Sequence, residues 1–500
     1  MERKWWTLLA TCVAMFMLLL DITIVNVALP EIQRDLGASF SDLQWVVDAY
    51  SLTLAAVLLT AGVLGDRLGR RNVFAIGFAI FTTASLLCGL ATSPTFLNIA
   101  RAVQGVGGAA MFATTLALIA QEFKGPERAT AFGIWGATVG GAVAIGPLVG
   151  GALTDALGWE WIFFVNVPIG IAAIALTLTR VAESRDREAQ RVDWPGVVIF
   201  STALFGLIFG LVRGNAEGWS SAVIEVSLGG AAVLLALFVL IELRSDHPML
   251  EMGLFRKPAF IGVSAVAFAL SAGMFAMFLY ITIYMQDILG YSPLEAGVRF
   301  LPITLLSFFV APAAGRLLTR VPARVFFGLG LGLVGGGLLL MRGIGTGSEW
   351  TTLLAGFLVA GAGIGMTNPA IASTAVGIVP AARAGMGSGI NNTFRQVGIA
   401  TGIAGLGAVF QHGIATRLPS DAPAGAAEAV ASSGTRAAEG AGPQAVDAAQ
   451  AAFIGSLNEI LLIGGLIALA GAALGFVLTR ERDMVPHGAG EPAVAESAAG

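Results

Sequence analysis

The feature that most constrains this chain is a succession of apolar runs, most of them about 20 residues long, separated by short charged or Gly/Pro-containing breaks. A helix of about 20 apolar residues crosses a hydrocarbon core of roughly 30 Å. Only 12% of the 500 residues are charged, whereas about a quarter are charged in a soluble domain. The sequence therefore predicts an all-α integral membrane protein.

The runs predict fourteen transmembrane helices. The first begins at Trp5 and continues past Asp21 to Leu29, too long for a signal-peptide core, so we expect it in the mature protein. The fourteen cover about residues 6–28, 45–65, 73–92, 96–119, 130–153, 161–179, 195–212, 221–242, 260–283, 294–315, 325–341, 351–372, 389–411 and 454–479.

The basic residues predict the orientation, because cytoplasmic loops carry an excess of Lys and Arg. With the N-terminus inside, twenty of the 28 basic residues fall on inner segments. The five outer ones are Arg34, Arg213, Arg342, Arg417 and Arg436, and the three within spans are Arg101, Arg299 and Arg395. We therefore expect both termini in the cytoplasm.

The chain also divides into halves. Residues 62–71, "GVLGDRLGRR", align with residues 315–324, "GRLLTRVPAR", and two further segments repeat at nearly the same offset. Such duplication is typical of transporters. We expect a six-helix bundle over 1–180, a linker with two inserted helices over 181–258, and a second pseudo-symmetric six-helix bundle over 259–480. An Ala/Gly/Ser/Pro-rich external loop would cover 412–453, and a disordered cytoplasmic tail 481–500.

Several motifs occur in order along the chain and resemble those of the major facilitator superfamily, more narrowly its fourteen-helix drug:proton antiporter branch. They are "LDITIVNVALP" (20–30), "GVLGDRLGRR" (62–71), "RAVQGVGGAA" (101–110), "GPLVGG" (146–151), "WIFFVNVPIG" (161–170), "YMQDILGYSPLEAGVRFLP" (284–302) and "NNTFRQVG" (391–398). Two residues depart from the usual pattern: Ala142 replaces a Gly of the antiporter motif, and Glu160 replaces an Arg.

The resemblance assigns roles to two motifs. It implies a cytoplasmic latch at the charged loop, in which Asp66 caps a neighbouring helix and Arg70 meets an acid such as Glu122; the latch residues are Gly62, Asp66, Arg67, Gly69, Arg70 and Glu122. The loop can alternatively serve only to set topology. The antiporter motif comprises Gly146, Pro147, Gly150 and Gly151. Plain close packing of small residues explains that motif equally well.

Ionisable side chains inside predicted spans are the candidates for coupling to protons, because each is costly in a bilayer. Asp21 and Arg101 lie about 12 Å and 10 Å from the outer ends of their predicted helices, at 1.5 Å per residue, so their depths match. The resemblance implies that both helices line the cavity, where the two side chains can pair. The alternative is a structural pair that fixes helix packing. Asp48 is a second coupling acid or a solvated helix end, and Gln104 is either a cavity group or an interhelical hydrogen-bond partner.

The second half offers Tyr284, Arg299, Asn391 and Arg395 as cavity candidates. Snorkelling to an interface is the alternative for both arginines. Tyr284 closes a run, "AGMFAMFLYITIYMQ", whose soft and aromatic side chains can accommodate varied lipophilic molecules, although some must face lipid.

The favoured function is a proton-coupled secondary transporter that exports amphipathic or cationic drugs and toxic compounds by alternating access. Its partners would be a small amphipathic substrate, protons and the lipid bilayer, and the family resemblance implies a monomer. The excess of Arg over Lys, with abundant Ala and Gly, is typical of GC-rich bacterial genomes, so we expect a bacterial inner membrane. The sequence has no phosphate-binding GxxxxGK[ST] loop, no metal-ligand or catalytic constellation and no nucleic-acid footprint, so we expect no enzyme, metal or cofactor. A metabolite exporter or a solute importer of the same fold is the alternative.

Overall fold

The computed structural model describes residues 2–185, 193–245, 248–420, 422–423 and 425–480. The described residues form α-helices with short 3₁₀ and π segments and contain no strand. The first seven helices are α1 Arg3–Leu36, α2 Phe40–Leu68, α3 Arg70–Gly89, α4 Pro94–Glu122, α5 Gly125–Leu157, α6 Trp161–Phe164 and α7 Asn166–Arg180. Next come α8 Trp194–Glu217 and α9 Ala222–Glu242. The remainder are α10 Pro258–Leu270, α11 Ala276–Ile283, α12 Pro293–Arg299, α13 Leu301–Leu317, α14 Ala323–Leu340, α15 Leu354–Gly377, α16 Ala384–Arg417, α17 Ala426–Ser433 and α18 Pro443–Leu478.

Helix starts follow local sequence rules. Ser39 begins α2 with a capping box: its hydroxyl accepts from the backbone N–H of Asp42, and the Asp42 carboxylate accepts from the backbone N–H of Ser39 at 2.9 Å. Ser93 caps α4 ahead of a proline at the first helical position. These caps satisfy backbone groups that a helix end leaves unpaired, and they fix where each span begins.

Within the described residues, twelve helical stretches are long and apolar enough to cross a membrane. The helices α5 and α13 are outside that set, since their described apolar parts, Leu148–Leu157 and Leu301–Leu317, are shorter. The count of fourteen therefore stays a prediction.

The two halves repeat the same neighbours. Helix α4 packs between α2 and α3, as α15 packs between α13 and α14, and α1 packs on α5 as α10 packs on α16. The halves meet through α2 against α16 and, symmetrically, α5 against α13. The pair α8 and α9 forms a hairpin on the outside of α2 and α16.

A glycine of the repeated motif lies at each of the two contacts between the halves. A side chain on Gly62 of α2 would overlap the carbonyl oxygen of Gly385 on α16, and one on Gly315 of α13 would overlap that of Ala129 on α5. Equivalent glycines thus let the backbones approach closely at equivalent places. We call the end of the bundle with residues 68–70 and 122–125 the hinge end.

The loop predicted at 412–453 is largely helical, which corrects the sequence interpretation. Helix α16 continues to Arg417, α17 and a 3₁₀ segment at Gly434–Ala441 follow, and α18 already begins at Pro443. The segment packs on α16 and α18, buries Val430, and is held by an ion pair of 2.9 Å between Arg436 and Asp287. Its alanine content, read as low complexity, is a strong helix former. The predicted tail, 481–500, lies outside the described residues.

Candidate functional site

Asp21 of α1 and Arg101 of α4 form an ion pair inside the first half. Arg101 Nη1 lies 2.5 Å from Asp21 Oδ2, and each residue is 1% exposed. Helix α1 continues to Leu36, beyond the predicted end at Leu29, so Asp21 lies about 22 Å from that end at 1.5 Å per residue. The pair is thus enclosed near the middle of a long helix.

Further polar groups complete the network. Gln104 donates from Nε2 to Asp21 Oδ1 at 2.9 Å and accepts from Arg101 at 2.7 Å, while Arg101 Nε donates to the carbonyl oxygen of Val46 at 2.9 Å. Asn166 of α7 donates to Asp21 Oδ1 at 3.5 Å. The Arg101 guanidinium also lies 4.4 Å from the ring centre of Tyr50. Sequence reasoning missed Asn166 and Tyr50, although Asn166 lies within the quoted motif "WIFFVNVPIG".

The network makes the buried charges tolerable. Removing one partner of a buried pair typically costs 3–5 kcal/mol, because the other charge is left uncompensated. Both oxygens of Asp21 accept hydrogen bonds, and those bonds come from α4 and α7. A change in the charge of Asp21 would therefore alter the contacts of three helices at once.

Asp48 of α2 is held more loosely. Its carboxylate is 17% exposed and lies 3.8 Å from Arg213 of α8, while Arg213 donates to Gln44 at 2.8 Å and to Glu217 at 2.7 Å. Arg213, predicted on an outer loop, lies within α8 with a side chain that is 6% exposed. The inserted hairpin therefore supplies the counter-charge of Asp48.

At the hinge end, Asp66 lies against the N-terminus of α16. Its two oxygens accept from the backbone N–H groups of Gly385 at 2.9 Å and Met386 at 2.8 Å. Arg70 donates from Nε to Asp66 at 2.8 Å and from Nη2 to the carbonyl oxygens of Ala381 and Ala382. A carboxylate at a helix N-terminus is favoured by the orphan N–H groups and the helix dipole. Asp66 and Arg70 thus join the first half to the second.

The expected contact between Arg70 and Glu122 is wrong. Glu122 lies 3.5 Å from Arg3 instead, because Arg70 points across the interface to backbone carbonyls. Arg67 donates to the carbonyl oxygen of Pro248 at 3.3 Å, in the linker after α9.

Glu183 is a hinge residue that the sequence analysis missed. Its carboxylate accepts from the backbone N–H groups of Arg71 at 3.1 Å and Asn72 at 3.3 Å, at the start of α3. Gly69, with φ of +115°, makes the turn, and a side chain there would lie 2.7 Å from the Glu183 carboxylate. The only sequence signal is an acid three residues after α7, in a segment that reads as linker.

The glycines of the antiporter motif differ in their surroundings. A side chain on Gly146 would overlap Thr23 of α1, and one on Gly150 would meet Ile24 at 2.8 Å, whereas one on Gly151 would meet nothing within 4 Å. Gly146 and Gly150 therefore allow α5 to pack closely on α1. The side chain of Pro147 lies outside what the structure describes.

The four candidates of the second half do not form one site. Tyr284 donates to the carbonyl oxygen of Ser348 at 3.2 Å, and Arg299 stacks on Tyr291 with its guanidinium carbon 3.5 Å from the ring centre. Both lie near the end opposite the hinge. Asn391 and Arg395, by contrast, are buried within α16.

A cavity lies between α5 of the first half and helices of the second half, and the sequence did not predict most of its walls. It is lined by Val139, Gly140, Leu270, Met274, Phe278, Ile303, Thr304, Ser307, Ile364 and Asn368. The lining is mainly apolar, but the Oγ of Ser307 and the Oδ1 of Asn368 are buried without hydrogen-bond partners in the described part of the chain. Such a cavity suits an apolar molecule that carries a few polar groups.

Comparison with known proteins identifies the family. Residues 11–403 match the family described as Major Facilitator Superfamily. The chain is 39% identical over 413 residues to the multidrug resistance protein Stp of Mycobacterium tuberculosis (strain CDC 1551 / Oshkosh), covering 82% of this chain and 77% of Stp. It is 34% identical to the tetracenomycin C resistance and export protein of Streptomyces glaucescens, covering 94% and 91%.

The fold is also found in a solved structure. The proton:xylose symporter XylE superposes with a TM-score of 0.62 at 14% identity, covering 95% of this chain and 96% of XylE, and at that identity the likeness concerns the fold alone. The chain therefore belongs to the major facilitator superfamily and is a multi-pass membrane transporter.

Proposed function

We propose that this transporter exports amphipathic drugs or toxic compounds from a bacterial cell in exchange for protons. The relatives named as resistance and export proteins support export, and the excess of basic residues on one side supports a cytoplasmic hinge end with both termini inside. In this proposal α5 and α13 also cross the bilayer, which gives fourteen spans, and the protein acts as a monomer.

The observation that carries proton coupling is the enclosed pair of Asp21 and Arg101. Asp21 is an acid within a span, and its ionised form holds α1, α4 and α7 together. A proton on Asp21 would remove the charge that Arg101 binds, so those helices would exchange one set of contacts for another. Proton binding would in this way bias one conformation over the other.

The geometry also supports alternating access. The halves are latched at the hinge end by Asp66 and Arg70, and a cavity lies between them. Release of this latch would let the halves rock apart on the cytoplasmic side and admit a compound. Asp48, with its partly exposed carboxylate, is the second candidate for the coupling acid.

A metabolite exporter is the second candidate function. The Streptomyces glaucescens relative bears the name of a single compound, which favours a dedicated pump over a polyspecific one. A proton-coupled importer of the same fold would move compound and proton in the same direction.

Purified protein in liposomes loaded with a pH-sensitive dye tests the proposal. Dyes, quaternary ammonium compounds, organic acids and antibiotics are added one at a time, and internal pH is followed. We expect proton movement opposite to the compound for at least one of them, and a single responsive compound would indicate the dedicated pump. Absence of proton movement with every compound would refute drug antiport, and co-directional movement would indicate import.

A further inference from the structure

Arg395 is a buried guanidinium without a counter-charge. It lies on α16 and is 8% exposed. Among the residues that the structure describes, it has no ion pair, no hydrogen bond and no aromatic ring contact. Arg101, the other arginine buried deep in a span, has a carboxylate, an amide and a carbonyl oxygen as partners.

Its depth excludes snorkelling. Helix α16 begins at Ala384, five residues before the predicted start, so Arg395 lies about 16 Å from the hinge end of its helix at 1.5 Å per residue. An arginine side chain is too short to bring its head group to that end of the helix, and the surrounding protein encloses Arg395. The charge is therefore held inside the protein.

The buried acids Asp21 and Asp66 do not balance the positive charge of Arg395. Asp21 is neutralised by Arg101, and Asp66 is neutralised by Arg70. Arg395 thus adds a net positive charge to the interior of the second half. An isolated buried charge is costly, and an anion bound beside it offsets that cost.

Hydrogen-bonding groups accompany the guanidinium. Asn391 precedes Arg395 by one helical turn, so both lie on the same face of α16, and the Nδ2 of Asn391 is buried without an acceptor among the described residues. One turn further on, a side chain built on Gly398 would lie 3.1 Å from the Cβ of Ser271. The Oγ of Ser271 is also buried without a partner.

This face adjoins a wall of the cavity. Ser271 begins a π-helical segment, Ser271–Phe275, and π segments inside α-helices often mark functional sites. Leu270 and Met274, on the same stretch of chain, line the cavity. Ser271 therefore lies on a segment that lines the cavity through Leu270 and Met274, and α16, which carries Asn391 and Arg395, packs against that segment.

We infer that Arg395, assisted by Asn391, binds an anionic oxygen group, such as a carboxylate, on the compound that occupies this cavity. The guanidinium offers five N–H donors in a planar fork that matches a carboxylate, and the apolar walls receive the rest of the molecule. This inference rests on the proposed export function and narrows its substrates to amphipathic acids, in preference to cations.

Three fluorescent probes that share one apolar group test the inference. Dansyl-leucine carries a carboxylate, its methyl ester is neutral, and dansylcadaverine carries an amine. Binding to the purified full chain in lipid nanodiscs is measured by dansyl fluorescence, without any proton gradient. The variants are Arg395→Gln, Arg395→Lys and Asn391→Ala. Arg417→Gln is the matched control, because it removes the same charge from the same helix at an ion pair with Glu459 outside the cavity.

We expect wild type to bind dansyl-leucine at least tenfold more tightly than the ester or the amine. Arg395→Gln should remove that preference while ester binding is retained, which also shows that the variant is folded. Arg395→Lys should retain part of the preference, Asn391→Ala should weaken it, and Arg417→Gln should leave it unchanged.

Equal binding of the acid and the ester by wild type, no detectable binding of the acid, or a full acid preference in Arg395→Gln would overturn the inference. These results concern binding alone. Proton-driven transport of another compound by the same purified protein in liposomes would then keep the proposed function intact. Absence of proton-driven transport with the acid preference retained would point to a failure of the proposed function only.

Discussion

The latch between Asp66 and the N-terminus of α16 gives a quantitative prediction about which end of the transporter is closed. Asp66→Asn keeps one acceptor oxygen but replaces the other with an amide donor, which cannot accept from Gly385 or Met386. The substitution also removes the negative charge at the helix N-terminus and the counter-charge of Arg70.

The magnitude follows from these contacts. A hydrogen bond to a charged group contributes about 1.5–3 kcal/mol, and a charge at a partly buried helix terminus contributes up to about 2 kcal/mol. Because the two terms describe overlapping contacts, we expect a combined loss of about 3 kcal/mol. At 1.36 kcal/mol per factor of ten, that loss lowers the ratio of closed to open hinge ends roughly 150-fold.

Spin labels on opposite halves measure that ratio. Asn72, at the start of α3, and Arg320, after α13, are both exposed at the hinge end and can be replaced by labelled cysteines, with Cys12 and Cys88 changed to alanine. We expect pulsed electron resonance to show one short distance in wild type and a longer, well-populated distance in Asp66→Asn. Asp155→Asn, an exposed acid on α5, serves as the control. Identical distance distributions in Asp66→Asn and wild type would refute the latch. The charged loop would then serve only to set the membrane topology.

Three further predictions concern other contacts. Glu183→Gln removes the carboxylate that caps α3, so the melting temperature should fall by the equivalent of about 1 kcal/mol, as measured by thermal unfolding in detergent; an unchanged value would contradict the capping role. Gly146→Ala should clash with Thr23 and impair both transport and thermal stability, whereas Gly151→Ala should be tolerated; equal effects would contradict the packing argument. Asp48→Asn should weaken the contact of α2 with the inserted hairpin. Because we assign proton coupling to Asp21, transport driven by a pH gradient should be preserved in Asp48→Asn; loss of that transport would indicate Asp48 as the coupling acid.

The sequence predicted the parts of this protein that depend on burial and on repeated spacing. Apolar run length predicted the helical membrane fold, and the alignment of residues 62–71 with 315–324 predicted two repeated halves, whereas the equivalent crossings at Gly62 and Gly315 were not predicted. The pairing of Asp21 with Arg101 was anticipated because both are costly charges within predicted spans, although the depth of Asp21 was taken from a helix end at Leu29 and α1 continues to Leu36. The role of that pair in coupling remains a prediction.

Contacts to the backbone and to linkers were not predictable in the same way. The carbonyl oxygens that bind Arg70 belong to Ala381 and Ala382, and every residue has such an oxygen, so no side-chain pattern marks them. Glu183 caps α3 across 111 residues of chain from Asn72, and its linker resembles any polar loop. The packing of residues 412–453 on α16 and α18 was not predicted for a related reason. An alanine-rich sequence carries little information about whether it packs against other helices.

Coupling of proton movement to transport by Asp21 predicts different behaviour of wild type and Asp21→Asn in two transport assays. Wild type and Asp21→Asn are reconstituted in liposomes and assayed with the same responsive compound, both for uptake driven by a pH gradient and for exchange of labelled against unlabelled compound without a gradient. Asp155→Asn controls for loss of an acid. We predict that Asp21→Asn retains exchange but loses gradient-driven uptake. Gradient-driven uptake by Asp21→Asn at the wild-type rate would contradict the account.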